Sequence, residues 1–425
     1  MLIDCTPLDV YAVDPVSFNW ISLVLTIALD LYTRSILAWR FTPRDAKDID
    51  ATLLLADIIR PKPMRDGWPA AAQWRYHGVP EHLVIPMGDT RPLAGIPVVY
   101  PETIVADHGR IFMSQELQDA CVRLGISIQP TRVFTPTDKA HIERVFRTIR
   151  ESFLENLPGY KGPNVYARGA DVENDAFYFV NELEGLFAEW VAAVYQVRHH
   201  DGLQLPAAPG LHVSPNDMYD EGLARAGFVA VPPSPSLYYE LLRTEWRTIQ
   251  HYGVEVGGLR YDGEALNSYR NRSSPYGGLA QGKWPIKYDP RDLSCVYFQV
   301  PESREWTALS WCDAGDPARP FSDVTLGYAK ALLRARNGNV KNHEAIAEVL
   351  NALVARIARE ELHGRAERKL AAKAFLDLQQ LRRDRGGALE HAEQSPAHEP
   401  ATNPEVIDLS ALVPMRVARD DDEES

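Results

Sequence analysis

Three acidic residues stand where apolar runs end or where a helix turns a charged face outward: Asp4 in MLIDCTPLDVYAVD, Asp107 in ETIVADHG and Glu143 in FTPTDKAHIERVFRTIRESFL. If the strand carrying Asp4 is central and the one carrying Asp107 is its neighbour, the three carboxylates can converge on one point. Carboxylates gathered in this way repel one another, and burial raises their pKa values unless a cation neutralises them. Magnesium suits such a cluster, because it takes oxygen ligands and keeps positions open for water and phosphate. Two of the three also have a plainer reading. Glu143, with Lys139, Arg147 and Arg150 about one turn away, can be part of a solvated ion-pair ladder. Asp4, before Thr6-Pro7, can simply start a turn.

The elements that must position these residues follow from periodicity. Met1 to Phe41 reads as three strands in succession, the second carrying a continuous apolar run suited to a buried strand. Asp45 to Ile59 is a helix with acidic residues in its first turn, which complements the helix dipole. Residues 61–101 are rich in Pro, Gly, Trp and His, and form an insertion or long loop. A short strand then ends at Asp107, the carboxyl end at which α/β proteins place ligand chemistry. SQELQDACVRLG is a helix and ISIQP a strand. Phe134 to Leu154 is predicted as a helix starting at Pro136-Thr137, with Ile142, Phe146, Ile149 and Phe153 on its apolar stripe. The order is three strands, helix, strand, helix, strand, helix.

Thirty-five residues separate Asp107 from Glu143. With that spacing, IDCTPLD, IVADHG and TPTDKAHIER resemble the D,D(35)E signature of the retroviral-integrase and DDE-transposase superfamily, and within it the Mu-type branch that includes TniA and TnsB transposases. The resemblance runs from Met1 to about Arg359. It implies an α/β RNase H-like core, followed by an all-β small barrel and a helical C-terminal segment with a disordered tail. It implies a catalytic triad of Asp4, Asp107 and Glu143 holding two magnesium ions, for which manganese can substitute, with Asp4 bridging and Asp107 and Glu143 each holding one ion. The activity implied is metal-dependent 3'-end nicking, then transfer of the freed 3'-hydroxyl to target DNA, by in-line phosphoryl displacement. Lys139, Arg144, Arg147 and Arg150 are the DNA-binding candidates, touching the phosphate backbone. His108 and His141 are ranked as non-ligands, since magnesium favours oxygen. Two departures stand out. Cys5 occupies a position where the family usually has His, and only three residues precede Asp4, where related transposases place helix-turn-helix end-recognition domains, so a fragment, a mis-called start or a protein that relies on another for end recognition is expected. The alternative from another class is a truncated, non-catalytic assembly or regulatory protein.

Domain boundaries are expected at 1–205 for the core with its trailing helix, 206–236 for a Pro-rich linker, 237–313 for the barrel, 325–385 for a basic helical region and 386–425 for a disordered acidic tail. The trailing helix is read within Asp171 to His200. The net charge of −13 is uneven: Asp384 to Ser425 holds eleven acidic and three basic residues, while Thr325 to Arg383 holds twelve basic and six acidic. That distribution keeps DNA as a partner. The family also implies a homo-oligomer on paired ends. Val406 to Val417 is an apolar island behind a flexible tether, and in TnsB-like proteins a terminal segment engages an AAA+ ATPase. The four cysteines show no metal or disulfide spacing. No apolar run is long enough to span a bilayer, so the expected location is a bacterial cytoplasm, at the nucleoid when DNA is bound.

Overall fold

The computed structural model describes the chain apart from residues 14–19, 44–46, 75–91, 108, 110, 132–138, 163–174, 229–235, 316–317, 341, 360–363 and 394–425. Its N-terminal half is built on a five-stranded sheet. Strand β1 (Leu2–Val13) pairs antiparallel with β2 (Trp20–Leu29), which pairs antiparallel with β3 (Ile36–Pro43). On its other side β1 runs parallel to β4 (Thr103–Ala106), and β4 parallel to β5 (Ser127–Pro130). The spatial order is therefore β3-β2-β1-β4-β5. Parallel neighbours need crossovers, and helices provide them: α1 (Asp48–Ile59) lies between β3 and β4, and α2 (Gln115–Leu124) between β4 and β5. Helix α3 (Ala140–Ser152) follows. This is the element order expected of an RNase H-like core.

Both faces of the sheet are covered. Leu2, Leu25, Ile27 and Leu29 pack with Ile142 and Ile149 of α3, and with Leu183 and Phe187 of α4 (Val180–Trp190). Ile3, Ala28 and Ile104 turn to the opposite face, against Leu54 and Ile58 of α1 and Leu117 and Cys121 of α2. Alternation along a strand makes this division, and burial on both sides explains why β2 reads as an unbroken apolar run.

Three expectations change. The predicted long helix within Asp171 to His200 is α4, continued by one π-helical turn, Val191–Tyr195; Asp171 itself lies outside the described residues. The segment expected to be a linker begins with structure instead. A hairpin of β6 (His200–Leu205) and β7 (Ala208–Val213) leads into α5 (Pro215–Ala226). There the Ser214 hydroxyl accepts from the Asp217 amide and Pro215 occupies the first turn, so the prolines that suggest a linker are helix-start chemistry. Tyr219 of α5 also packs on Trp74 and Leu93 of the 61–101 segment. Lastly, helix α9 (Gly364–Glu393) runs through Gly386, where disorder is expected. Its continuation costs about 1 kcal/mol for each of two glycines, and Ala388, Leu389, Glu390 and Ala392 are good helix formers. Residues 394–425, including Val406 to Val417, lie outside the described part.

After the short α6 (Leu237–Leu241), six antiparallel strands form a nearly closed barrel: β8 (Arg243–Arg247), β9 (Val254–Val256), β10 (Leu259–Asp262), β11 (Trp284–Asp289), β12 (Asp292–Gln299) and β13 (Trp306–Trp311), in the order β8-β11-β12-β13-β10-β9. The two edges meet where Arg247 Nε donates to the Glu255 carbonyl at 2.6 Å. Val256, Tyr261, Ile286, Val296, Phe298 and Leu309 fill the interior. Gly253 is required near the β9 edge: it has φ +98, and a Cβ would lie 2.1 Å from the Tyr261 carbonyl oxygen. Helices α7 (Asp323–Ala335) and α8 (His343–Ala358) extend this core with Leu326, Leu350 and Leu353.

Helix α9 joins the two cores. Leu370 belongs to the barrel's cluster, and Leu376 to the cluster on the α3 face of the sheet. Between them and the C-terminal end of the helix lies a buried charge network. Arg40 of β3 donates to both oxygens of Asp384, at 3.2 and 3.0 Å, and Arg291, between β11 and β12, donates to Asp384 at 2.7 Å. Arg291 is also held by Asp289 at 2.7 Å, and Arg385 pairs with Asp292 at 3.0 Å. One carboxylate on α9 thus grips the core and the barrel together.

Candidate active site

Asp4 and Asp107 are brought together by the sheet. The last paired residues of β1 and β4 are Leu2 with Val105 and Ile3 with Ala106, so the two aspartates are each the next residue along parallel neighbours. Alternation gives Asp4 the same side as Leu2, and Asp107 the same side as Val105. That is the face on which α3 packs. The strand ends therefore direct both carboxylates toward the start of α3, where Lys139 precedes the first helical residue.

Lys139 sits between them. Its Nζ is 3.2 Å from Asp4 Oδ2 and 2.9 Å from Asp107 Oδ2. Each carboxylate's other oxygen is fixed by backbone: the Cys5 amide donates to Asp4 Oδ1 at 2.9 Å, and the Gly109 amide to Asp107 Oδ1 at 2.7 Å. A side chain at Gly109 would press on the same Asp107 oxygen, with its Cβ at 2.6 Å. Asp4 is 8% exposed. Burial raises its pKa; the charge of Lys139 and the Cys5 amide oppose that rise, and the charge of Asp107 adds to it. Desolvation would lower the Lys139 pKa, but the hydrogen bond to Asp107 and the charge of Asp4 outweigh it, so the ammonium is held protonated. The Cys5 thiol is pushed up to about 11, by burial first and then by the two carboxylates. At neutral pH it is an uncharged neighbour rather than a nucleophile.

Glu143 is not part of this cluster. It lies one turn along α3 from Lys139, through the helical bond from its own amide to the Lys139 carbonyl at 3.1 Å, and its side chain is exposed. Among the described residues no group of three or more His, Cys, Asp and Glu is close enough to hold a metal ion. Two of the three acidic candidates converge, and the cation between them is the ammonium of a fourth candidate. That geometry is itself a test of the donor set. Two hard oxygen donors aimed at one positive centre fit magnesium or manganese. Asp4 and Asp107 are the residues that would hold it.

The remaining candidates separate along α3. Arg144 and Arg147 are exposed. Arg150 donates from Nε to Asp9 of β1 at 2.7 Å, which ties the helix to the sheet. His141 Nε2 lies 3.1 Å from Arg34 Nη2, and desolvation with the charges of Arg34 and Arg144 lowers its pKa. His108 and the expected helix start at Pro136-Thr137 lie outside the described residues. Sequence reasoning missed Arg34, which stands at φ +61 in the β2–β3 turn; nothing local in its sequence marks it as a neighbour of α3.

Two family models match the chain. Residues 92–159 match "TnsB C-terminal domain", and residues 240–306 match "Mu transposase, C-terminal". A curated relative, the transposase for transposon Tn552 of Staphylococcus aureus, is 26% identical over 314 residues, covering 72% of this chain and 52% of its own length. The chain spans about half the length of that relative. Among solved structures, the simian T-cell lymphotropic virus intasome in complex with PP2A regulatory subunit B56 gamma is matched at 16% identity, covering 73% of this chain and 75% of that one, with a TM-score of 0.28. The catalytic core domain of BIV integrase is matched at 13% identity, covering 52% and 95%, with a TM-score of 0.25. No helix among the described residues is long and apolar enough to cross a membrane.

Proposed function

We propose that this chain, whose matched segments and curated relative are consistent with a Mu/TnsB-type transposase family, is a transposase subunit that joins DNA ends by metal-dependent phosphoryl transfer at Asp4 and Asp107. The observation that carries this reading is the convergence of the two aspartates from adjacent parallel strands on one cationic centre. A divalent cation bound there would supply charge stabilisation to the phosphate and lower the pKa of an attacking hydroxyl.

The chain's own residues do the rest. Backbone amides of Cys5 and Gly109 hold one oxygen of each aspartate, which leaves the other oxygen directed into the cleft. Such fixed donors need no reorganisation at the moment of reaction. Glu143, one turn along α3 from Lys139, is the third carboxylate of the proposed site. Arg144 and Arg147 are free to meet backbone phosphates, whereas Arg150 must first give up Asp9. Alanine at Arg144 or Arg147 is therefore expected to weaken DNA binding and to reduce the salt slope by about 1 each, and alanine at Arg150 to do less. Binding measured by fluorescence anisotropy across a salt series distinguishes them; equal losses at all three positions would refute the division.

The test of the function is joining of a 3'-hydroxyl oligonucleotide to plasmid DNA in magnesium or manganese, with the wild-type chain and with Asp107→Asn. Joining that requires metal and disappears in the variant, while DNA binding persists, supports the proposal. DNA binding without joining in either protein would favour the assembly or regulatory role. A homo-oligomer on paired ends, an AAA+ ATPase partner and a nucleoid location belong to the same proposal.

A further inference from the structure

We infer that Lys139 is a resident counter-ion that competes with the divalent metal for Asp4 and Asp107, so that metal loading and DNA loading are coupled through the displacement of one side chain. The inference rests on the metal-dependent reading above, and concerns how the site is kept before substrate arrives.

Asp4 is largely buried, and Asp107 stands level with it at the end of the neighbouring strand. Two carboxylates on adjacent strand ends repel each other, and a cation between them relieves that repulsion. The Lys139 ammonium is that cation, within hydrogen-bond distance of both, at 3.2 and 2.9 Å. It uses Oδ2 of each aspartate, the oxygens left free by the Cys5 and Gly109 amides. A metal shared by the two aspartates would need those same oxygens. An ammonium and a divalent ion cannot both occupy the space between them, since two cations at that separation repel strongly.

Where the ammonium goes is equally constrained. Lys139 precedes the first residue of α3, and makes no side-chain cap to the helix. Swinging the side chain out therefore breaks no helical bond, and costs only its two carboxylate contacts. A backbone phosphate held by Arg144 and Arg147 on the same helix would offer a replacement anion. Displacement by metal alone leaves the ammonium to water; displacement with DNA present gives it a phosphate. By linkage, DNA then strengthens metal binding and metal strengthens DNA binding by the same factor. Lys139 is thus a positioning residue that keeps the cleft neutral and closed to metal until DNA is at hand.

Titration of the full chain with manganese, followed by calorimetry with and without a DNA duplex, tests this. Wild type should bind manganese weakly alone, and roughly tenfold or more tightly with DNA. Lys139→Met keeps the aliphatic stem and removes the charge. It should bind manganese about tenfold more tightly than wild type without DNA, lose most of the enhancement by DNA, and melt at a lower temperature in EDTA. Lys139→Arg keeps a cation and should retain weak metal binding, which separates charge from any local unfolding. If Lys139→Met binds manganese no better than wild type, or worse, while Asp107→Asn abolishes binding, the counter-ion role is refuted and the metal site stands. If Asp107→Asn binds manganese as wild type does, the metal-site reading itself fails.

Discussion

Asp384→Ala is expected to destabilise the protein by about 3–5 kcal/mol, because it leaves two buried guanidinium groups without their shared partner. The side chains of Arg40 and Arg291 are 1% exposed, and Asp384 bridges them. Desolvation alone would raise the Asp384 pKa, but the charges of Arg40, Arg291 and Arg383 overrule it and hold the carboxyl well below its usual range. The sign of the pH dependence follows. A depressed carboxylate contributes stability above its unfolded pKa of about 3.9, and that contribution is lost as pH falls toward the folded value. Wild type should therefore lose stability below about pH 4 more steeply than Asp384→Ala does. Thermal melts at pH 7 and at pH 3 check both statements. A loss under about 1 kcal/mol at pH 7 would mean that Asp57, 2.7 Å from Arg40, and Asp289, 2.7 Å from Arg291, suffice for the two arginines.

The second large effect is on chemistry rather than stability. Asp4→Asn should reduce end joining by on the order of a thousandfold or more, the scale seen when one preorganised electrostatic group is removed from an active site. Its melting temperature should move by only about 1 °C, the equivalent of roughly 1 kcal/mol for a chain of 425 residues. Asp4 pays a burial penalty when ionised, as its raised pKa shows, and asparagine relieves that penalty while weakening one contact of Lys139. Glu143→Gln gives a contrasting pattern. Its side chain is exposed and stands outside the Asp4, Asp107 and Lys139 cluster, so the melting temperature and metal binding without DNA should be unchanged, while joining should fall by at least about a hundredfold. Joining assays paired with melts separate the outcomes. Full joining by Glu143→Gln would remove it from the proposed triad.

What could be read in the sequence was local. The strands β1 to β4 and the stripe of α3 follow from alternation and from three-to-four spacing, and Ile142, Ile149 and Phe153 are buried as that spacing requires. The convergence of Asp4 and Asp107 was legible only as a condition on strand order, which the parallel pairing of β1 with β4 fulfils. Three features were illegible for physical reasons. The grip of Asp384 on Arg40 joins residues 344 apart, and no periodicity carries information over that span. The hairpin and helix within residues 206–236 were hidden because proline marks both loose segments and helix starts. From its place one turn before Glu143, Lys139 reads as a phosphate contact. Its position between the aspartates depends on the balance of charge in a cleft that the linear sequence does not display.

The pairing of β1 with β4 also makes the site sensitive to the number of residues in the strand. Two rungs, Leu2 with Val105 and Ile3 with Ala106, set the aspartates level with each other. Because successive side chains alternate faces, deleting one residue from β4 ahead of Asp107 would turn its carboxylate toward α1 and α2 without altering any residue of the site. Length changes between α1 and β4 that stop short of the ladder carry no such penalty, since they leave the rungs in step. The distance between the two carboxylates is kept by the reading frame of a short ladder, and tolerance to insertion should change abruptly at its ends.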